Sequence, residues 1–87
     1  MQYYFSDDTE TISQVRPSHR EWLAGWLEKG VLLASGPYID FPGALFIFKT
    51  DSIEELAHLL DNDPYEIAGL LTERTITQWN PVYGPFN

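Results

Sequence analysis

The stretch that decides the fold is residues 44–60, ALFIFKTDSIEELAHLL, where a strand pattern is followed directly by a helix pattern. Residues 44–48 are apolar at successive positions, which is typical of a β-strand covered on both faces. Ser52 opens a Ser-x-x-Glu capping box, and Leu56 and Leu60 then share one apolar stripe at helical spacing. This stretch therefore predicts a buried strand followed by an amphipathic helix.

The rest of the chain supplies a second, longer helix and further strands. Pro17 fits the first turn of that helix, where a missing N–H costs nothing, and Gly30 is a natural end. The polar residues 6–15 are interpreted as a loop, and residues 37–43 as a turn. Further strands are predicted at residues 2–5, 31–35 and 72–79, a short helical turn at residues 65–71, and an irregular aromatic tail from Pro81.

The predicted order is β-α-β-β-α-β, with no internal repeat and no second domain within residues 1–87. This order predicts an α+β fold of the ferredoxin-like split βαβ type, a four-stranded antiparallel sheet with both helices on one face. The apolar side chains of residues 44–48 that face away from the helices then need another cover. A second copy packed sheet against sheet would supply it, so we expect a two-fold homodimer.

Composition and charge argue against several classes of function. Thirteen acidic against five basic side chains give a net charge of −8, which repels nucleic acid and anionic membrane surfaces. There are no cysteines, and no apolar segment approaches the roughly 18 residues of a membrane span, so we expect a soluble, cytoplasmic protein. The chain has no Gly-x-Gly-x-x-Gly or Walker-type loop, and its two histidines lack metal-ligand spacing, so no cofactor and no metal are expected.

Three short segments that lie far apart in the sequence are predicted to meet at one end of this fold. The start of the first helix, the end of the second strand and the end of the second helix share that end when the crossover is right-handed. His19 lies on the apolar stripe of Trp22 and Trp26, so its ring should face the sheet, where a buried imidazole needs a hydrogen-bond partner. Asp63 is the natural partner. The segments are Arg16-Pro17-Ser18-His19, Ser35-Gly36-Pro37 and Asp63-Pro64-Tyr65.

Each of these features also has a purely structural interpretation. An inward-facing histidine is more often a hydrogen-bonded core residue than a catalyst. Asp63 before Pro64 is typical of a helix N-cap followed by its first residue, and the glycine-proline pair at residues 36–37 is typical of a turn. Arg16 can pair with an acidic side chain of residues 7–10. The residues by themselves leave these alternatives open.

Several features recur in a set order along the chain: Arg16-x-x-His19, Gly30, Ser35-Gly36-Pro37, Gly43, Asp63-Pro64-Tyr65 and Trp79. In this order and spacing the chain resembles the YCII-related (YciI-like) family. The resemblance implies a dimeric α/β barrel, in which two ferredoxin-like protomers pack their sheets face to face. It also implies a His–Asp pair in a cleft, which maps onto His19 and Asp63. A few relatives are linked to cofactor-free chemistry on hydroxylated, chlorinated aromatic rings.

Together, the residues and the resemblance predict a small cofactor-independent enzyme. It would carry out general acid–base chemistry, such as elimination or isomerisation, on a small hydroxylated aromatic substrate. His19 would move the proton, and Asp63 would orient the ring and stabilise its charged form. The alternative is a non-catalytic module that binds a small ligand or serves another protein. Substrate contacts are expected from Arg16, Ser35, Gly36, Pro37 and Tyr65.

Overall fold

The computed structural model of the chain describes residues 1–86 and has the predicted α+β order, and the helical turn predicted at residues 65–71 is a short helix at Pro64–Ile67. The strands form one four-stranded sheet in the order β2-β3-β1-β4, in which all neighbours are antiparallel. This is the ferredoxin-like split βαβ arrangement. The elements are β1 (Gln2–Phe5), α1 (Thr9–Glu28), β2 (Leu32–Pro37), β3 (Gly43–Phe48), α2 (Ile53–Leu60), α3 (Pro64–Ile67) and β4 (Leu71–Thr75).

The two faces of the sheet have different environments. Tyr3 lies opposite Ala44 in the register of β1 and β3, and both are buried together with Phe46 and the α2 residue Leu60. Because side chains alternate along a strand, Leu45 and Ile47 point to the opposite face. Leu45 is 43% exposed, so helices cover only one face of the sheet. We call the other the uncovered face; it is shared by Gln2, Leu45 and Ile47.

Helix α1 begins earlier than the sequence predicts. It starts at Thr9 with Asp8 as its N-cap, so the prediction of a loop over residues 6–15 and a helix start at Pro17 is wrong. The Asp8 side chain accepts hydrogen bonds from the backbone N and the hydroxyl of Thr11, at 3.1 and 2.7 Å. The first of these bonds satisfies one of the backbone N–H groups that a helix start leaves unpaired.

Pro17 therefore lies inside α1, where a proline costs about 3 kcal/mol relative to a good helix former. Tertiary packing offsets that cost. The additional turns bury Ile12 in a small cluster with Tyr65 and Leu70, which forms where α1 passes over α3. The beginning of α1 is thus decided by contacts with residues far away in the sequence, which local helix signals do not contain.

The remaining boundaries differ by smaller amounts. Strand β2 extends through Pro37, so the segment of residues 35–37 is part of a strand and not of the turn that follows it. Strand β4 ends at Thr75, four residues before the predicted end. Gly30 follows the end of α1 with φ +74°, the left-handed conformation that glycine adopts without strain. No helix within residues 1–86 is both long and apolar enough to span a bilayer.

Candidate active site

His19 lies near the middle of α1 on the side that faces the sheet. The sequence predicts it at the start of the helix, and the early start of α1 moves it away from there. The partial positive charge of a helix start acts only on groups near the first turn, so it does not act on this imidazole. The predicted direction of the His19 ring is nevertheless confirmed, since His19 packs toward the core on the same side of α1 as Trp22 and Trp26.

Asp63 is the centre of the hydrogen-bonding at this site. Its side chain is completely buried and makes three hydrogen bonds. The Oδ1 atom lies 2.8 Å from Nδ1 of His19 and 2.9 Å from the backbone N of Tyr65. The Oδ2 atom accepts a 2.6 Å hydrogen bond from the hydroxyl of Tyr3. Asp63 is also the N-cap of α3, so the cap and the histidine partner that the sequence leaves as alternatives occur together.

The pattern of donors defines the proton positions. A backbone N–H and a tyrosine hydroxyl both donate to Asp63, which is what an ionised carboxylate requires. Burial, followed by the charge and hydrogen bond of Asp63, raises the pKa of Tyr3 far above its ordinary value, so this hydroxyl keeps its proton. The carboxylate then takes Nδ1–H of His19 as its third donor. In the neutral ring Nε2 is therefore left as a proton acceptor.

Nε2 of His19 is the part of the ring that reaches the surface. It makes no hydrogen bond within residues 1–86, while every buried side-chain nitrogen or oxygen in that range has a partner. Nε2 must accordingly be in contact with solvent, although the side chain as a whole is only 8% exposed. One nitrogen is held by a buried carboxylate and the other is open, which is the arrangement that general acid–base catalysis needs.

Aromatic rings surround the imidazole and hold its plane. Tyr65 stacks on it with ring centres 4.0 Å apart and an angle of 17° between the planes. The edge of Phe46, the ring of Trp22 and the ring of Tyr3 lie at 6.1, 6.4 and 6.5 Å. The imidazole is therefore enclosed mainly by aromatic rings.

The other predicted site residues lie further from the pair. Arg16 is exposed one turn before His19, and the predicted ion pair with residues 7–10 does not form within residues 1–86. Ser35 is exposed and lies opposite Phe46, so its side chain points to the helix-covered face. Gly36 lies opposite Leu45 on the uncovered face. Of the seven predicted positions, the structure joins His19, Asp63 and Tyr65 by direct contacts, whereas Arg16, Ser35, Gly36 and Pro37 make no hydrogen bond to the pair.

Sequence reasoning missed Tyr3, which it treated only as a strand aromatic. The signal was present in part, because a tyrosine in a buried strand needs a partner for its hydroxyl. The partner lies 60 residues away, and only the sheet order brings it there. No three His, Cys, Asp or Glu side chains of residues 1–86 are grouped so that they would hold a metal ion.

Because of Tyr3, the free energy of unfolding should depend on pH in the alkaline range. A tyrosine in the unfolded chain has a pKa of about 10, whereas the pKa of Tyr3 in the folded protein is far higher. Below about pH 10 both states keep the proton and the stabilisation is complete. At higher pH the unfolded chain releases a proton that the folded chain retains, so the free energy of unfolding falls by up to about 1.4 kcal/mol per pH unit.

Tyr3→Phe is expected to remove this component of the pH dependence. Denaturant unfolding from pH 8 to pH 11 measures it, with Tyr4→Phe as the matched control, whose hydroxyl lies 3.4 Å from Oε1 of Gln2. The wild type and Tyr4→Phe should lose stability more steeply than Tyr3→Phe. Parallel curves for all three proteins would contradict the buried hydrogen bond.

Comparison with known proteins places the chain in a family. The YCII-related domain matches residues 1–80. The chain belongs to the YCII-related family. This member is similar in structure to 5-chloro-2-hydroxyhydroquinone dehydrochlorinase (TftG) from Burkholderia phenoliruptrix AC1100, solved in complex with 2,5-dihydroxybenzoquinone. The two chains are 19% identical, with 91% of this chain and 89% of the other covered and a TM-score of 0.80. No curated protein matches this YCII-related chain in sequence.

Proposed function

We propose that this protein is a small cofactor-independent enzyme that uses His19 and Asp63 for general acid–base chemistry on a hydroxylated aromatic compound. The observation that carries the proposal is the geometry of the imidazole. Asp63 holds Nδ1 at 2.8 Å while Nε2 reaches solvent, so the ring can exchange a proton with a bound molecule. Membership of the YCII-related family and the likeness in fold to a dehydrochlorinase support the same class of chemistry.

On a chlorinated hydroquinone the proposed reaction has two proton transfers. Nε2 of His19 takes the proton from a ring hydroxyl and delivers it to the carbon that carries chlorine, which gives a keto tautomer. Nε2 then takes the proton of a second hydroxyl group and passes it to water, electrons move through the ring, and chloride leaves from that carbon. The product is a quinone, and the net loss is HCl, so neither an oxidant nor a reductant is needed. The first transfer alone would be an isomerisation.

Asp63 would stabilise the positively charged imidazolium form of His19. When Nε2 takes a proton, the imidazolium lies 2.8 Å from a carboxylate that is already ionised and fixed. A charge-assisted hydrogen bond is about twice as strong as a neutral one, and the apolar aromatic surroundings enhance it. The carboxylate thus orients the ring and stabilises its positive charge without moving.

We assign the substrate contacts to the other predicted site residues. Arg16, which has no ion pair within residues 1–86, would attract a phenolate oxygen, and Tyr65 would extend an aromatic wall. Ser35 would donate its hydroxyl from the same face of the sheet as Phe46. Gly36 and Pro37 would shape the strand beside it. These roles are inferred from the places of the residues in the fold, whereas His19 and Asp63 would carry out the proton transfer.

The proposed enzyme is a homodimer that pairs the uncovered faces of two sheets. Leu45 on that face is 43% exposed and Trp79 beside it is 58% exposed. Both line a broad concave surface enclosing about 1230 Å³. A second copy would bury this apolar area, as the continuous apolar pattern of β3 requires. Sedimentation equilibrium should give twice the chain mass of 10.0 kDa, and a monomer at micromolar concentration would contradict this assembly.

One observation favours the alternative of a non-catalytic binding module. Neither His19 nor Asp63 lines the concave surface on the uncovered face. Neither of them lines a smaller cavity of about 240 Å³ beside Gly36. A ligand held there would not meet the imidazole. Such a protein would bind an aromatic compound without converting it, and replacement of His19 would leave the affinity unchanged.

A test of the proposed activity is chloride release. The protein is incubated without oxygen with chlorinated hydroquinones that carry two or three hydroxyl groups, and chloride is measured by ion chromatography. The expected result is release in equal amounts of chloride and quinone, seen by its absorbance. Binding of these compounds without any release of chloride, across the whole panel, would support the binding module instead.

A further inference from the structure

The hydroxyl of Tyr3 completes the set of hydrogen bonds around Asp63, and the sequence pattern assigns it no role. We propose that Tyr3 is a positioning residue: it fixes the Asp63 carboxylate, and through it the nitrogen of His19 that carries the proton. This inference rests on the proposed acid–base function. Tyr3 makes no contact with the reacting atoms of that proposal, since its hydroxyl bonds Oδ2 of Asp63 at 2.6 Å.

The two carboxylate oxygens of Asp63 are held by different partners. Oδ1 receives Nδ1 of His19 and the backbone N of Tyr65, whereas Oδ2 receives only Tyr3. Without the phenol hydroxyl, Oδ2 would remain completely buried and without a partner. The carboxylate would then turn toward water or take up a proton. Either change weakens the bond to Nδ1–H and allows the proton to sit on Nε2 instead.

Tyr3 is well suited to this role because it sits on a rigid element. It belongs to a central strand and pairs with Ala44 on one side and Arg74 on the other. Its side chain is fully buried, and its ring packs on Phe46 with centres 4.8 Å apart. The three donors to Asp63 come from β1, α1 and α3, so Tyr3 is the contact that ties the carboxylate to the sheet.

The competing interpretation is that Tyr3 only fills the core. A purely structural tyrosine changes the stability of the protein when its hydroxyl is removed, but it does not change the proton position on His19. The tautomer of the imidazole is therefore the decisive readout. It can be measured in the ligand-free protein from the nitrogen chemical shifts of ¹⁵N-labelled histidine, at a pH where the ring is neutral.

Tyr3→Phe is the test, and Tyr4→Phe is the matched control on the opposite face of the sheet. In the wild type and in Tyr4→Phe, His19 should be almost entirely the Nδ1–H tautomer. In Tyr3→Phe a substantial fraction should move to Nε2–H. Where turnover is measurable, kcat should fall about 10- to 100-fold with KM changed less than about twofold, because a misplaced group affects the reaction more than binding.

A folded Tyr3→Phe protein with the wild-type tautomer would overturn the proposal. If this variant does not fold, the wild type still provides a test: the Tyr3 hydroxyl proton should appear as a slowly exchanging signal with a nuclear Overhauser effect to His19 Hδ1. Absence of protonated Nδ1 in the wild type would overturn the proposal as well. The tautomer is read without substrate, so a missing activity would count against the proposed function and leave this result standing.

Discussion

His19→Gln is expected to reduce chloride release by about 100- to 10,000-fold, the usual cost of losing a general acid–base group. The glutamine amide can still donate to Asp63, so the buried carboxylate keeps a partner and the fold should survive. It cannot accept and return a proton as an imidazole does. The expected loss is therefore in kcat, while the affinity for the aromatic ligand stays within a few-fold.

The matched control is His58→Gln. His58 is the second histidine of the chain and lies exposed on α2, away from the aromatic surroundings of His19. This variant should retain the wild-type rate. An equal rate in His19→Gln and the wild type, with both proteins folded, would exclude the proposed proton transfer.

Asp63→Ala is expected to destabilise the protein by roughly 3–5 kcal/mol. Removal of the side chain takes away the cap of α3, which contributes about 0.5–2 kcal/mol. It also leaves the Tyr3 hydroxyl and His19 Nδ1 as buried donors without a partner, at about 1–3 kcal/mol each. Because these contributions share one side chain, they do not simply add up. The expected loss is still large for a domain whose total stability is about 5–15 kcal/mol.

Asp61→Ala serves as the control for Asp63→Ala. Asp61 lies two residues earlier with a side chain that is 60% exposed, and it pairs with Arg74 at 3.1 Å. An exposed pair contributes about 0–1 kcal/mol, so this variant should unfold at nearly the wild-type urea concentration. Equal midpoints for the two variants would show that the buried network contributes no more than a surface ion pair.

The contact between His19 and Asp63 could be predicted although the start of α1 could not. The direction of the His19 ring depends on its spacing from Trp22 and Trp26, and that spacing is the same whether the helix begins at Thr9 or at Pro17. The end of the fold at which Asp63 arrives depends on the order and handedness of the elements. Neither relation requires the exact boundary of a helix.

Features that depend on distant partners could not be obtained in this way. Ile12 stabilises the first turns of α1 through Tyr65 and Leu70, and no local pattern indicates those contacts. The hydrogen bond from Tyr3 to Asp63 requires the position of β1 inside the sheet and the exact turn of α3. Likewise, residues 36–37 have the local pattern of a turn but pair with β3 as part of β2.

The central claim is that a ligand meets the open nitrogen of His19. A crystal structure of the protein with 2,5-dihydroxybenzoquinone, the compound bound to the structurally similar dehydrochlorinase, tests it most directly. We predict a ligand oxygen within about 2.6–3.2 Å of Nε2, the reach of a hydrogen bond. A ligand found only on the uncovered face, against Leu45 and Trp79 and out of contact with the imidazole, would contradict the claim.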